Sequence, residues 1–171
     1  MRKDVEKVTG RKLDFLKLIR PEGEAHLTVF TPVEAQAIVA RTEGEPGKVT
    51  MSEIEELTKK VQLKDMDLTT QGIGSGSKMI DGKLEETFFL LVESDKLKEL
   101  RGSIKDLFVS KGGDPQLFSP ETFYPHITIG YTKRELHVSD GVIKDYDNSF
   151  DSRFKVSMDS SKSASVKPSA R

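Results

Sequence analysis

The chain has 171 residues, which is the size of one domain and is enough to bury roughly two-thirds of its unfolded surface without crosslinks. Its 27 basic and 28 acidic side chains nearly cancel, which argues against tight, salt-driven binding of a nucleic-acid duplex. There is no cysteine, and this excludes disulfides, thiolate metal sites and a thiol nucleophile.

The amino-terminal segment is too charged for a signal peptide, and no apolar run in the sequence approaches the length that spans a membrane. We therefore expect an intracellular, cytoplasmic protein. Residues 1–22 mix charged and apolar side chains with neither helical nor strand spacing, so their structure is left open.

Residues 25–30 alternate between apolar and polar side chains, as a strand with one face on a core would. The next residues predict a helix to about residue 40, because Thr31 can cap it, Pro32 suits its first turn and Glu34 can close a capping box. A second capping box, from Ser52 to Glu55, predicts another helix with an apolar face of Ile54, Leu57 and Val61.

Residues 67–73 and 84–93 are predicted to form a hairpin, with Asp81-Gly82 as the turn between the strands. Ser94 can cap a third helix, which the glycines at 112 and 113 would end. Its apolar stripe consists of Leu97, Leu100, Ile104, Leu107 and Phe108.

Residues 122–131 predict a further strand, which again alternates around His126 and Thr128. The order of these elements is typical of an α+β fold. We predict one domain over residues 1–156 and a disordered polar tail over residues 157–171, where serine and lysine dominate.

Two of the three histidines occupy the same local frame, HLTV at residues 26–29 and HITI at residues 126–129. In a strand, residues two apart lie on one face, so His26 and Thr28 share a face, as do His126 and Thr128. If the two strands are neighbours, two imidazoles and two hydroxyls surround a volume the size of a phosphate. One imidazole can act as a base and the other as an acid, while the hydroxyls donate to the phosphate oxygens.

A single histidine in a strand is more often an ordinary surface or core residue than a catalyst. The repetition of the tetrapeptide about a hundred residues later favours the functional interpretation. In that interpretation His26 and His126 are catalytic and Thr28 and Thr128 bind the substrate, without a metal or another cofactor.

The paired tetrapeptides resemble the signature of the two-histidine (2H) phosphoesterase superfamily. The segment FYPHITIGY at residues 123–131 is similar to the second motif of that superfamily. The segments TKRELH at residues 132–137 and DGVIKD at residues 140–145 most resemble the 2H domain of Swiss Army Knife RNA-repair proteins.

The resemblance covers residues 5–150 and implies a bilobal α+β fold, in which two antiparallel sheets face a central cleft and helices pack outside. It implies a phosphodiesterase that acts on 2′,3′-cyclic phosphates of RNA, cyclic nucleotides, ADP-ribose cyclic phosphate or linear oligonucleotides. An RNA end or small nucleotide is then the substrate, RNA-repair enzymes or domains are possible partners, and a monomer is expected.

Four further features of the sequence are less specific to one function than the paired motifs. Tyr131 could stack on a base, and Lys133 could bind a substrate phosphate or lie in a solvated turn. For His137, which follows in the same polar loop, the solvated turn is favoured. The glycine-rich residues 72–77 lack the ending of a P-loop and are interpreted as a flexible part of the hairpin.

The main hypothesis is a metal-independent hydrolase of 2′,3′-cyclic phosphates, in which His126 activates water and His26 protonates the leaving ribose oxygen. Three alternatives remain open. They are a phosphodiesterase acting on linear oligonucleotides or other small nucleotides, a noncatalytic nucleotide- or phosphate-binding module, and a zinc site on the histidines. The zinc site is disfavoured because zinc usually takes three or four protein ligands, and no His-x-His or His-Glu-x-x-His spacing is present.

Overall fold

A computed structural model describes residues 1–14, 26–42, 44–62 and 67–154. The predicted tail at residues 157–171 and the predicted end of the domain at residue 156 lie outside these ranges. Within them the helices are α1 (Arg2–Thr9), α2 (Pro32–Ile38), α3 (Met51–Lys60), α4 (Asp95–Ser110) and α5 (Tyr146–Ser149), and the strands are β1 (Thr69–Ile80), β2 (Lys83–Glu93) and β3 (His126–Tyr131). In this part of the chain, no helix has the length and apolar character needed to cross a membrane.

The helix starts follow local capping signals. The predicted box of Thr31 and Glu34 is present at the start of α2. The predicted box from Ser52 to Glu55 is wrong, because Thr50 caps α3 and pairs with Glu53 instead. A capping residue must stand in extended backbone just before the first helical turn, and Ser52 already lies inside the helix.

The amino-terminal segment, whose structure could not be predicted from the sequence, begins with helix α1. This helix buries the side chain of Val5. Val5 packs in one cluster with Leu13, Phe88 of β2 and Ile129 of β3. This cluster therefore attaches the amino-terminal segment to one face of the sheet.

The three strands form one antiparallel sheet in the order β1-β2-β3. The predicted hairpin is present, and both turn residues, Asp81 and Gly82, have positive φ angles of 51° and 73°, which is the backbone of a type I′ turn. The α+β class is confirmed. Among the described residues this is the only sheet, so the second sheet of the expected bilobal arrangement is not found there.

Two predicted strands are shorter in the structure. The strand expected over residues 122–131 starts at His126, because Pro120 begins a short 3-10 helix and neither Pro120 nor Pro125 has an N–H for a sheet ladder. The described part of the strand expected over residues 25–30 makes a single bridge, at Leu27, which pairs with Ile127.

The glycine-rich residues 72–77 belong to the hairpin, as predicted, where they form part of the regular strand β1. A glycine at position 74 leaves room for the side chains of Phe89 and Leu91, which are buried on the neighbouring strand. Its small size therefore allows the sheet to pack closely.

We expect Gly74→Ala to destabilise the fold by about 1–3 kcal/mol, because the new Cβ would lie 2.5 Å from Phe89 Cε2 in a site that is already filled. Gly102→Ala is the matched control. Nothing lies within 4 Å of a Cβ at that helical position, and alanine there should stabilise by roughly 0.5–1 kcal/mol. Urea denaturation would measure both changes, and equal stability of the two variants would contradict this packing.

Candidate active site

The two histidine motifs lie side by side. Leu27 makes an antiparallel bridge with Ile127, so by strand geometry His26 lies beside Thr128 and Thr28 beside His126. Residues directly opposite one another share a face of the sheet, and the diagonal pair His26 and His126 is then roughly 7–8 Å apart, with a somewhat shorter distance between the Cβ atoms. All four motif side chains therefore belong to one face, which we call the histidine face.

The opposite side of the first motif is apolar. Val29 packs against the cluster of side chains that joins α2, α3 and α4, which includes Ile38, Leu100 and Ile104. The alternation that predicted the strand thus assigns Val29 to the core, while His26 and Thr28 are exposed.

The imidazole of His126 is held at three points. Its Nδ1 lies 2.8 Å from the carbonyl oxygen of Tyr124, which can only accept, so Nδ1 carries a proton. Its Nε2 lies 3.0 Å from Nζ of Lys144. The ring meets the edge of Phe89 with 5.7 Å between centroids.

Two charged residues that the sequence analysis did not select complete this group. Oε1 of Glu135 accepts hydrogen bonds from Lys144 Nζ at 2.5 Å and from Thr128 Oγ1 at 2.7 Å, and it lies 3.5 Å from His126 Nε2. Lys144 is 4% exposed, and its Nζ also lies 5.2 Å from the centroid of the Phe89 ring.

The protonation of this pair reflects burial and mutual contact. Burial acts to raise the pKa of Glu135, but the neighbouring His126 ring, the hydrogen bonds from Lys144 and Thr128 and the charge of Lys144 hold that pKa well below its usual range. Burial lowers the pKa of Lys144, and the Glu135 carboxylate opposes this change. Both residues lie in the segments at 132–137 and 140–145 that resemble the Swiss Army Knife 2H domain. That resemblance is the feature of the sequence from which Glu135 and Lys144 could have been selected.

A β-bulge brings Tyr131 to the histidine face. The register between β2 and β3 shifts at Ile129, which has no partner, so Tyr131 pairs with Thr87 and points to the same side as Thr128. Burial raises the pKa of the Tyr131 phenol, and the negative charges of Glu135 and Asp14 add to this. Strict alternation would have put Tyr131 on the other face.

The remaining candidates lie farther along the chain. Lys133 is exposed, and its Nζ pairs with Asp81 Oδ2 at 3.1 Å, at the turn of the hairpin and not beside His126. His137 is exposed, but the atoms packed around its ring lower its pKa, and it interacts electrostatically with Glu135, Lys144 and His126.

Among the described ranges, no group of three or more histidine, aspartate or glutamate side chains is arranged to hold a metal ion. The polar groups on the histidine face are instead suited to an anion and to proton transfer. They consist of imidazoles, hydroxyls and one ammonium group, next to a single carboxylate.

Comparison with known protein families gives a match over most of the chain. The family model described as "Swiss Army Knife, 2H phosphoesterase domain" matches residues 4–137, which include both histidine motifs. No curated protein and no solved structure matches the chain. Membership of this family implies phosphodiesterase activity, with a nucleotide or RNA as the class of substrate. The match covers most of the sequence, and the chain therefore belongs to the Swiss Army Knife 2H phosphoesterase domain family.

Proposed function

We propose that this chain hydrolyses a 2′,3′-cyclic phosphate, at an RNA end or on a nucleotide, without a metal ion. The observation that carries the proposal is the bridge between Leu27 and Ile127, because it makes His26, Thr28, His126 and Thr128 neighbours on one face. A role in RNA repair beside other repair enzymes, and a bilobal fold with one motif from each lobe, belong to the same proposal.

In this mechanism His126 is the base and His26 is the acid. His126 takes a proton from water as the water oxygen bonds to phosphorus, and His26 gives a proton to the ribose oxygen as its bond to phosphorus breaks. The products are a phosphomonoester and a free ribose hydroxyl. The contacts of His126 support its role as base, since Nδ1 donates to a carbonyl and Nε2 faces an ammonium group as an acceptor.

The hydroxyls of Thr28 and Thr128 donate to the phosphate oxygens, where negative charge grows in the transition state. Tyr131 is proposed to contact the base or ribose, since the bulge turns it to the histidine face. Lys133 is assigned to a more distant part of an RNA strand, because it lies toward the hairpin turn.

A panel of substrates tests the reaction. It contains cyclic mononucleotides, an RNA that ends in a 2′,3′-cyclic phosphate, and a 2′-5′ dinucleotide, and the products are identified by mass. We expect the cyclic phosphates to be hydrolysed, so that the mass of each product exceeds that of its substrate by one water molecule. Cleavage of the linear dinucleotide alone would favour the alternative substrate class, and binding without turnover would favour the noncatalytic module.

Chelation and pH together test the mechanism. We expect full activity in excess EDTA, since two imidazoles supply both proton transfers without a metal-bound water. A reaction that needs one imidazole neutral and the other protonated should also give a bell-shaped dependence of the rate on pH. Loss of activity in EDTA that returns on addition of metal would contradict this mechanism, even if the substrate class proved correct.

A further inference from the structure

Three polar atoms converge on one oxygen atom of Glu135, and two of them, Lys144 Nζ and Thr128 Oγ1, donate hydrogen bonds to it. Lys144 Nζ, Thr128 Oγ1 and His126 Nε2 lie 2.5, 2.7 and 3.5 Å from Oε1. Glu135 and Lys144 are largely buried, at 14% and 4% exposure. Such a set of donors around a single anionic oxygen is what a phosphoryl oxygen requires.

The proposed function assigns Thr128 Oγ1 to an oxygen of the substrate phosphate and His126 to the water that attacks the same phosphate. We propose that Glu135 Oε1 occupies the position of a phosphate oxygen in the unliganded protein, and that Lys144 is a third, cationic ligand of the phosphate once Glu135 is displaced. This inference rests on the proposed function and adds to it a residue that lies beyond the matched residues 4–137.

Lys144 has supports that do not depend on Glu135. Its Nζ lies over the ring of Phe89 at 5.2 Å and reaches His126 Nε2 at 3.0 Å. Phe89 is itself fully buried and also contacts His126. The ammonium group can therefore stay in place when the Glu135 carboxylate moves away. At this buried position its attraction for an anion is weakened little by solvent.

Glu135 and a phosphate cannot occupy the position together, because two anions within hydrogen-bonding distance repel strongly away from bulk water. Glu135 therefore competes with the substrate and lowers its apparent affinity, since only the displaced state can bind. The same carboxylate balances the charge of Lys144 when the site is empty. The buried ammonium group of Lys144 therefore has an anionic partner both before and after the substrate binds.

The test measures binding of inorganic phosphate by isothermal titration calorimetry. Glu135→Gln removes the competing charge and keeps the shape, so phosphate should bind at least several-fold more tightly than to the unmodified chain. Lys144→Met alone would leave Glu135 as an unpaired buried charge and could unfold the protein. Lys144→Met is therefore made in the Glu135→Gln background, where no charge is left unpaired.

The double variant should bind phosphate roughly tenfold to a hundredfold more weakly than Glu135→Gln alone, which is the range expected for loss of one hydrogen bond to a charged group. Lys98→Met in the same background is the matched control. Lys98 is an exposed residue of α4 paired with Glu93, and its loss should leave phosphate affinity unchanged.

Phosphate binding that is unchanged or weaker in Glu135→Gln would overturn the inference, and so would a double variant that binds as tightly as Glu135→Gln. These measurements do not depend on turnover. Full turnover by variants without His26 and His126 would instead refute the proposed function, so the two failures can be distinguished.

Discussion

Replacing either His26 or His126 with alanine should lower turnover of a 2′,3′-cyclic phosphate by roughly a hundredfold or more, which is the usual contribution of general acid or base catalysis. The double variant should be only slightly worse than the single ones, because the two groups act in one step and their effects do not add. Thr28→Val and Thr128→Val should have smaller effects.

The third histidine gives a matched control for this experiment. His137→Ala removes the same group from an exposed position and should cost less than about tenfold in turnover. Circular dichroism and thermal unfolding would show that each variant is folded. A folded variant that lacks both His26 and His126 but keeps the original turnover would refute the mechanism.

The largest effect on stability is expected for Arg101→Ala. The Arg101 side chain is 1% exposed, and its guanidinium donates to Glu34 Oε1 and to the carbonyl oxygen of Val29, each at 2.6 Å. It also lies between the rings of Phe118 and Phe123, at 4.4 and 4.5 Å from their centroids. Its loss leaves the part-buried carbonyl of Val29 without this donor and the Glu34 carboxylate without its cationic partner, and it removes a buried side chain from beside two rings, so we expect destabilisation by roughly 3–5 kcal/mol.

Lys105→Ala is the control for Arg101, because it lies about one turn later in α4 and makes a 3.7 Å ion pair with the exposed carboxylate of Glu121. Such a surface pair should contribute at most about 1 kcal/mol. Urea unfolding measures both variants. Val29 follows Thr28, so the first motif should also become less ordered in Arg101→Ala and turnover should fall. Similar unfolding free energies for the two variants would contradict the assigned role of Arg101.

Local signals were predictable from the sequence where one or two residues determine the backbone. The capping box at Thr31, the turn at Asp81-Gly82 and the cap at Ser94 are present as predicted. The capping box predicted at Ser52 is wrong because Thr50, two residues earlier, is followed by Glu53 at the same spacing. The sequence pattern alone does not show which of the two residues caps the helix.

Features that depend on tertiary contacts could not be predicted in this way. The glycines of β1 are needed because Phe89, Leu91 and Val142 fill the space beside them, and those neighbours are distant in sequence. Glu135 and Lys144 meet at Thr128 and His126 only because the chain after β3 returns over the histidine face. The motifs themselves were visible because alternation and repetition are properties of the sequence alone.

The central claim is that His26 and His126 act on one phosphate, and a crystal structure of the protein with bound phosphate or vanadate tests it most directly. We predict that both imidazoles lie within about 3 Å of oxygen atoms of the same ion and that the rings are roughly 5–8 Å apart. An ion bound away from His126, or two rings on different faces or separated by packed side chains, would contradict the claim.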